Sequence, residues 1–187
     1  MNKYNITFIG NCEIGKTSLL MTYNDKKIPE KYIPSLSEPF TKNFKIENKE
    51  FEIQFWDSGN TSDIDRIRYI CINQSQLIAI CFAIDNLYYS FESVENRYKN
   101  EVKGCAPKNS KIILIGTKID LRNNEERINE LKEENKKFVT KEEGIEMAKK
   151  IKAIKYFECS SFNQKGIETI FNEIALICFE NFEKYKN

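Results

Sequence analysis

The chain has 187 residues, 41% hydrophobic and 30% charged, with a formal net charge of +1. That size fits one domain with one substantial core, and the balanced charge predicts no general affinity for nucleic acid or an anionic membrane. Histidine is absent, which removes His-based triads, His general bases and the usual zinc sites. The cysteines at 12, 71, 81, 105, 159 and 178 include no C-x-x-C pair. Four of them (71, 81, 159 and 178) sit in or beside apolar runs, where a free thiol acts as a small hydrophobe, so a reduced, cytoplasmic setting is expected. The N-terminus enters a strand directly, without a signal-peptide pattern, and no apolar run approaches the ~18 residues of a membrane span.

In chain order, Tyr4–Ile9 reads as a strand and Lys16–Tyr23 as a helix. Phe40–Ile46 and Phe51–Trp56 read as strands, and "IENKE" between them predicts a hairpin turn. Ile64–Asn73 reads as a helix, Leu77–Ile84 as a strand, Tyr88–Val102 as a helix and Lys111–Ile115 as a strand. Arg122–Lys137 is almost wholly charged or polar and predicts a solvated helix inserted before the next element. Lys141–Ile151 follows as a helix opened by a capping box, Thr140 with Glu143. Ile154–Glu158 is a strand, and Gly166–Glu183 repeats apolar residues at helical spacing. The order implies an α/β fold: a six-stranded, mostly parallel sheet with one antiparallel edge strand and helices on both faces. Ligands of such sheets sit at the carboxyl ends of the strands.

Three motifs fall at those ends. "GNCEIGKT", Gly10–Thr17, matches G-x-x-x-x-G-K-[ST] between a strand and a helix. Amides of Cys12, Glu13, Ile14 and Gly15 and of the helix start, with Ser18, are candidates to face phosphate oxygens. Lys16 adds a point charge, and Thr17 is a candidate Mg²⁺ ligand. "QFWD" delivers Asp57 to the same end as a second metal-site candidate. "GTKID" places Asp120 to accept both N–H groups of a guanine, with the stem of Lys118 over the base. "ECSSF" offers the amides of Ser160 and Ser161 to the base carbonyl.

These motifs together resemble a Ras-superfamily small GTPase, and within it the Rho family, closest to its Rac-like members. The resemblance covers nearly the whole chain and implies a P-loop NTPase fold, a single G domain over 1–187, with the charged insert, about 122–138, matching the Rho insert helix. "YIPSLSEPF" (32–40) resembles the first switch and "FWDSGNTSDIDRIR" (55–68) the second. Trp56 matches the Rac-like choice at a position tied in that family to exchange-factor selection. The resemblance implies binding of GTP or GDP with Mg²⁺. Ser35 would be the switch Mg²⁺ ligand, and Asp57 would hold the ion through water. Tyr32 would lie over the phosphates, and Pro34, Ile28 and Phe162 would complete the nucleotide's surroundings. Exchange factors, activating proteins and effectors are expected at Tyr32–Phe40 and Ser58–Asn73, on a monomer.

The departures cluster at hydrolysis. The family carries D-T-A-G-Q-E where this chain has Asp57-Ser58-Gly59-Asn60-Thr61-Ser62. Thr61 replaces the glutamine that orients the attacking water, and its hydroxyl is too short to span water and γ-phosphate. Asn60 replaces a glycine whose amide meets the γ-phosphate. Cys12 replaces a glycine that leaves room for an activator's arginine, which contributes roughly 10³–10⁵ in rate. Similar departures mark the Rnd-like Rho proteins, held to stay GTP-loaded. Lys16, Ser35 and Thr61 remain the candidate catalytic set, and hydrolysis is expected to be weak. Ile28 also stands where the family has an aromatic, which loosens the hold on guanine by about 1 kcal/mol. Three other readings are a normally cycling GTPase with an unusual second switch, a P-loop phosphotransferase, against which "GTKID" argues, and a nucleotide-locked scaffold that never switches. The chain ends "CFENFEKYKN" without a prenylation box. Peripheral attachment at the inner membrane face is expected only for a native form with a longer, prenylated tail.

Overall fold

The computed structural model describes residues 2–25, 39–58 and 65–184 and is built around a strand with no exposed face. All seven residues of β4 (Leu77–Ala83) are buried. Leu77, Ala79, Cys81 and Ala83 join one core cluster, and Ile78, Ile80 and Phe82 the other. Because strand side chains alternate between faces, both faces of the sheet must be covered. This is the reason for the near-continuous apolar run.

The described residues form a six-stranded sheet in the order β2-β3-β1-β4-β5-β6. Its strands are β1 (Asn2–Ile9), β2 (Phe40–Ile46), β3 (Lys49–Asp57), β4, β5 (Lys111–Thr117) and β6 (Lys155–Glu158). Only β2 runs antiparallel to its neighbour. It turns into β3 through Glu47 (φ 49°) and Asn48 (φ 62°), the left-handed pair that a tight two-residue hairpin requires. The mostly parallel sheet with one antiparallel edge is therefore as the sequence predicts.

One core cluster is covered by α1 (Lys16–Asp25) and α6 (Ile167–Lys184). The Tyr23 ring of α1 stacks on Phe171 of α6 at 3.6 Å between centroids. The other cluster is covered by α2 (Asp65–Asn73), α3 (Lys99–Cys105) and α5 (Lys141–Lys150). The four cysteines placed in apolar runs, Cys71, Cys81, Cys159 and Cys178, are buried and unpaired. No helix among the described residues is long and apolar enough to cross a membrane.

Two expectations need correction. The helix expected over Tyr88–Val102 is α-helical only from Lys99; Leu87–Phe91 and Val94–Tyr98 wind as wider turns. Buried Ser90 explains the first. Its hydroxyl lies 2.8 Å from the Asn86 carbonyl and accepts the Ala83 amide at 3.1 Å. It competes for a helix acceptor while tying the segment to β4, and Phe91 N–H then reaches back five residues to Asn86. The insert helix is also shorter than expected. α4 spans Glu125–Glu133, capped by the Asn124 side chain on the Arg127 amide. It stops before Asn135, which adopts φ 52°. Leu131 is its one buried residue, and Arg127 fastens it to Asp85 just beyond β4, at 3.0 Å.

Further contacts hold elements in place. Arg68 of α2 is fully buried and donates to both carboxylate oxygens of Glu101 in α3, at 2.9 and 3.1 Å. The Thr140–Glu143 capping box opens α5 as expected. Gly144 in that helix leaves room for the Tyr156 ring, which a Cβ would meet at 2.2 Å. Tyr156 in turn donates to Glu158 at 2.9 Å, and Arg122 holds the same carboxylate with two bonds of 2.8 Å. Helix propensity alone makes Gly144→Ala stabilising by ~1 kcal/mol. Overpacking costs about 1–3 kcal/mol and outweighs it here. Chemical denaturation should therefore show Gly144→Ala to be less stable than the parent; equal or higher stability would refute the packing argument.

Candidate functional site

The chain leaves β1 into a loop that only glycine permits at its first turn. Gly10 adopts φ 147°, and a Cβ there would lie 2.4 Å from the Cys81 carbonyl oxygen and 2.5 Å from Ile14 Cδ1. Gly15 adopts φ 94°, and Glu13, exposed, φ 60°. The helix ladder then begins with Leu19 N–H on the Gly15 carbonyl at 2.9 Å. Within this loop the Lys16 ammonium is 2% exposed. It donates to the Gly10 carbonyl at 2.9 Å and the Asn11 carbonyl at 2.7 Å. Burial lowers its pKa from the ordinary lysine value, and the Asp57 charge partly opposes that.

Thr17 donates its hydroxyl to Asp57 Oδ2 at 2.5 Å, joining the start of α1 to the end of β3. The other oxygen, Asp57 Oδ1, is buried and has no hydrogen-bond partner among the described residues. Burial pushes the Asp57 carboxyl above the usual range, against the pull of the Thr17 bond and Lys16. A buried carboxylate oxygen with a free lone pair beside a hydroxyl fits a Mg²⁺ site of the kind that uses one or two protein oxygens and phosphates. The residues present therefore fit the ion.

On the far side of the loop, Gly15, Ser18, Thr117, Lys118, Asp120, Leu121, Ser161 and Phe162 line a pocket of about 190 Å³. Lys118 takes a left-handed conformation, φ 62°, directly after β5. The Ser160 hydroxyl donates to Asp120 Oδ1. Its amide, expected at the base, instead donates to the Lys165 carbonyl at 3.0 Å. That corrects the sequence reading: Ser160 positions Asp120 rather than offering an N–H. Ser161 remains on the pocket wall.

The structure thus brings together Lys16, Thr17 and Asp57 at one end, and Gly15, Ser18, Lys118, Asp120, Ser161 and Phe162 at the other. Cys12 is half-buried in the loop, and Ile14 is buried with its carbonyl toward β5. Ile28, Tyr32, Pro34, Ser35, Asn60 and Thr61 lie outside the described residues.

Thr117 was missed by the sequence reading. Its hydroxyl contacts both the Ile14 carbonyl and the Phe82 carbonyl, which ties the phosphate loop to the ends of β4 and β5. Its place directly after a strand and before Lys118 was the available signal. Ser58 was likewise read only as part of the second switch. Its hydroxyl donates to the Phe8 carbonyl at 2.8 Å and fixes the residue after Asp57 to β1.

A glycine-rich loop around a buried lysine, a threonine–aspartate pair and an aspartate-bearing second pocket are what a guanine-nucleotide switch requires. A family model described as "Ras family" matches residues 5–179. The chain belongs to the Ras family. It is a small GTPase molecular switch with the fold of that family. Ras-family proteins in general bind guanine nucleotide and Mg²⁺, hydrolyse GTP and interact with regulators and effectors.

Both central charges of this Ras-family site are held against the solvation preference of the free protein. An Asp57 pKa raised in the fold means that the folded state binds the extra proton. That contribution to stability is therefore fully present below the ordinary Asp value of 3.8 and is lost as pH rises through the raised pKa. Subtracting the thermal stability of nucleotide-free Asp57→Asn from that of the parent across the acidic range isolates it. The difference should move in the parent's favour as pH falls toward the ordinary Asp value of 3.8. A flat or opposite difference would contradict the burial of an unpaired carboxylate oxygen.

Proposed function

We propose that this small GTPase is a Rho-type switch that keeps its GTP. The observation that carries the Rho-type reading is α4, a charged helix inserted between β5 and α5 and fastened by Arg127 to Asp85. Regulation of the cytoskeletal type follows from the same resemblance.

In this reading Lys16 and the loop amides of residues 12–17 receive the phosphates. Thr17 and Ser35 would ligate Mg²⁺, and Asp57 would hold it through water. The ion, when bound, neutralises charge between the outer phosphates. Asp120, oriented by Ser160, accepts the guanine N–H groups, Lys118 covers one face, and the Ser161 amide meets the base carbonyl. Ile28, Tyr32, Pro34 and Phe162 enclose the rest. Regulators and effectors dock on Tyr32–Phe40 and Ser58–Asn73. Ile67, Tyr69 and Ile70 support the second of these, because they are exposed on α2 at 46%, 39% and 51%. The protein is a cytoplasmic monomer in this reading, and joins the inner membrane face only if the native form carries a prenylated tail.

Slow hydrolysis rests on Cys12, Asn60 and Thr61. With no glutamine side chain to span the attacking water and the γ-phosphate, orientation of the nucleophile falls away while nucleotide binding is retained. Single-turnover hydrolysis should be slow and unresponsive to Rho-type activating proteins. The combined change Cys12→Gly, Asn60→Gly, Thr61→Gln should raise the intrinsic rate at least about tenfold and restore stimulation. Ordinary family rates in the unmodified chain would overturn weak hydrolysis and favour a normally cycling switch. Asp120→Ala should weaken GTP binding by roughly 10–100-fold, the equivalent of a lost charged hydrogen bond, as read by nucleotide titration.

A further inference from the structure

A second cavity opens at the other end of the sheet. It encloses about 440 Å³ between α3, the loop after it, the start of β5 and the residues after α5. Val102, Ala106, Ile112 and Ile151, buried or half-buried, make its floor, and exposed Pro107 lies at its rim with Lys99, Lys103, Lys108 and Lys152. No acidic residue lines it. The cavity meets β5 at Ile112, whereas the base pocket meets the same strand at Thr117. The two sites are therefore separated by about five residue steps, roughly 17 Å of strand.

The rim is unusually positive for a chain of net charge +1. Lys103, Lys108 and Lys152 are exposed, and none takes part in an ion pair among the described residues. Lys99 pairs with Glu95 Oε1 at 3.7 Å, and the other oxygen of that carboxylate pairs with Lys150, so the free positive charge of the rim is carried by the other three lysines. Cations near helix C-termini are favoured by the helix dipole, which accounts for Lys103 in the last turn of α3 and Lys152 just beyond α5. It does not account for Lys108, which is in a loop, or for Lys99, at the first residue of α3.

We propose that this cavity docks an acidic segment of a partner protein, with one apolar side chain on the floor and flanking carboxylates on Lys103, Lys108 and Lys152. Charge complementarity selects the carboxylates. The recessed apolar floor selects an anchoring side chain, which a plane of lipid headgroups does not supply. A single small anion does not match three cations carried on three segments, whereas a run of Asp and Glu does.

The test uses the full chain loaded with nucleotide and a fluorescein-labelled peptide of glutamates flanking one central phenylalanine. Anisotropy should report binding that weakens with added salt. It should weaken at least about tenfold in the triple variant Lys103→Gln, Lys108→Gln, Lys152→Asn; asparagine suits position 152, where φ is 60°. Replacing the probe's phenylalanine with alanine should weaken binding comparably, and the amide resonances of Val102, Ile112 and Ile151 should shift with the intact probe. Unchanged nucleotide affinity in the triple variant shows that it is folded. Absent binding, binding indifferent to the three lysines or to the phenylalanine, or resonance shifts confined to other surfaces would each overturn the proposal. So would lysine-dependent binding to phosphatidylserine vesicles without binding to the peptide, which would assign the rim to a membrane.

Discussion

The structure depends on a lysine kept out of water. The Lys16 ammonium has two backbone carbonyls of its own loop as partners, Gly10 and Asn11. Placing an ammonium there is costly unless those carbonyls converge on it, and they converge only because the loop turns tightly at Gly10 against β4. That close approach in turn requires β1 and β4 to be adjacent and parallel, in the middle of the sheet. Central strands with two buried faces are thus part of the same constraint as the charge at the site. In the proposed reading an anion at Lys16 and a cation at Asp57 would both come from outside the chain, and their binding would complete the electrostatics of the fold.

Thr117 joins the two ends of the site. Through one short side chain the loop around Lys16 is linked to the segment bearing Lys118 and Asp120. Ser160 performs a similar task from the next strand by holding Asp120. The two ends of the site therefore share a frame of β4, β5 and β6.

Much of this was legible in the sequence where a single interaction dominates. The apolar run of β4, the glycine-rich loop and the Thr140–Glu143 cap each follow from local chemistry, and the structure has all three. The hairpin was readable from "IENKE", because a tight turn needs residues that tolerate left-handed backbone, such as Asn48. The misreadings share a cause. Ser90 and Ser160 act through hydroxyl bonds to residues close by or distant in sequence, and no periodicity reports these. Nothing in its local sequence marks Arg68 for burial, yet it is wholly buried because Glu101, 33 positions on, meets it. The insert helix ran long on paper because charge patterning marks solvation and not helix ends; the stop belongs to the turn at Asn135.

The β2–β3 hairpin also gives the molecule a handle. Its turn, Glu47–Asn48, is exposed and begins seven residue steps from Phe40, roughly 23 Å along the ladder. Seven paired positions stand between that turn and the strand ends that lead to Asp57. An insertion at the turn lengthens the loop at an entropic cost that grows only slowly with length, while the register of those pairs insulates the site from it. A reporter or affinity sequence can therefore be placed between Glu47 and Asn48 inside the chain, leaving both termini as they are.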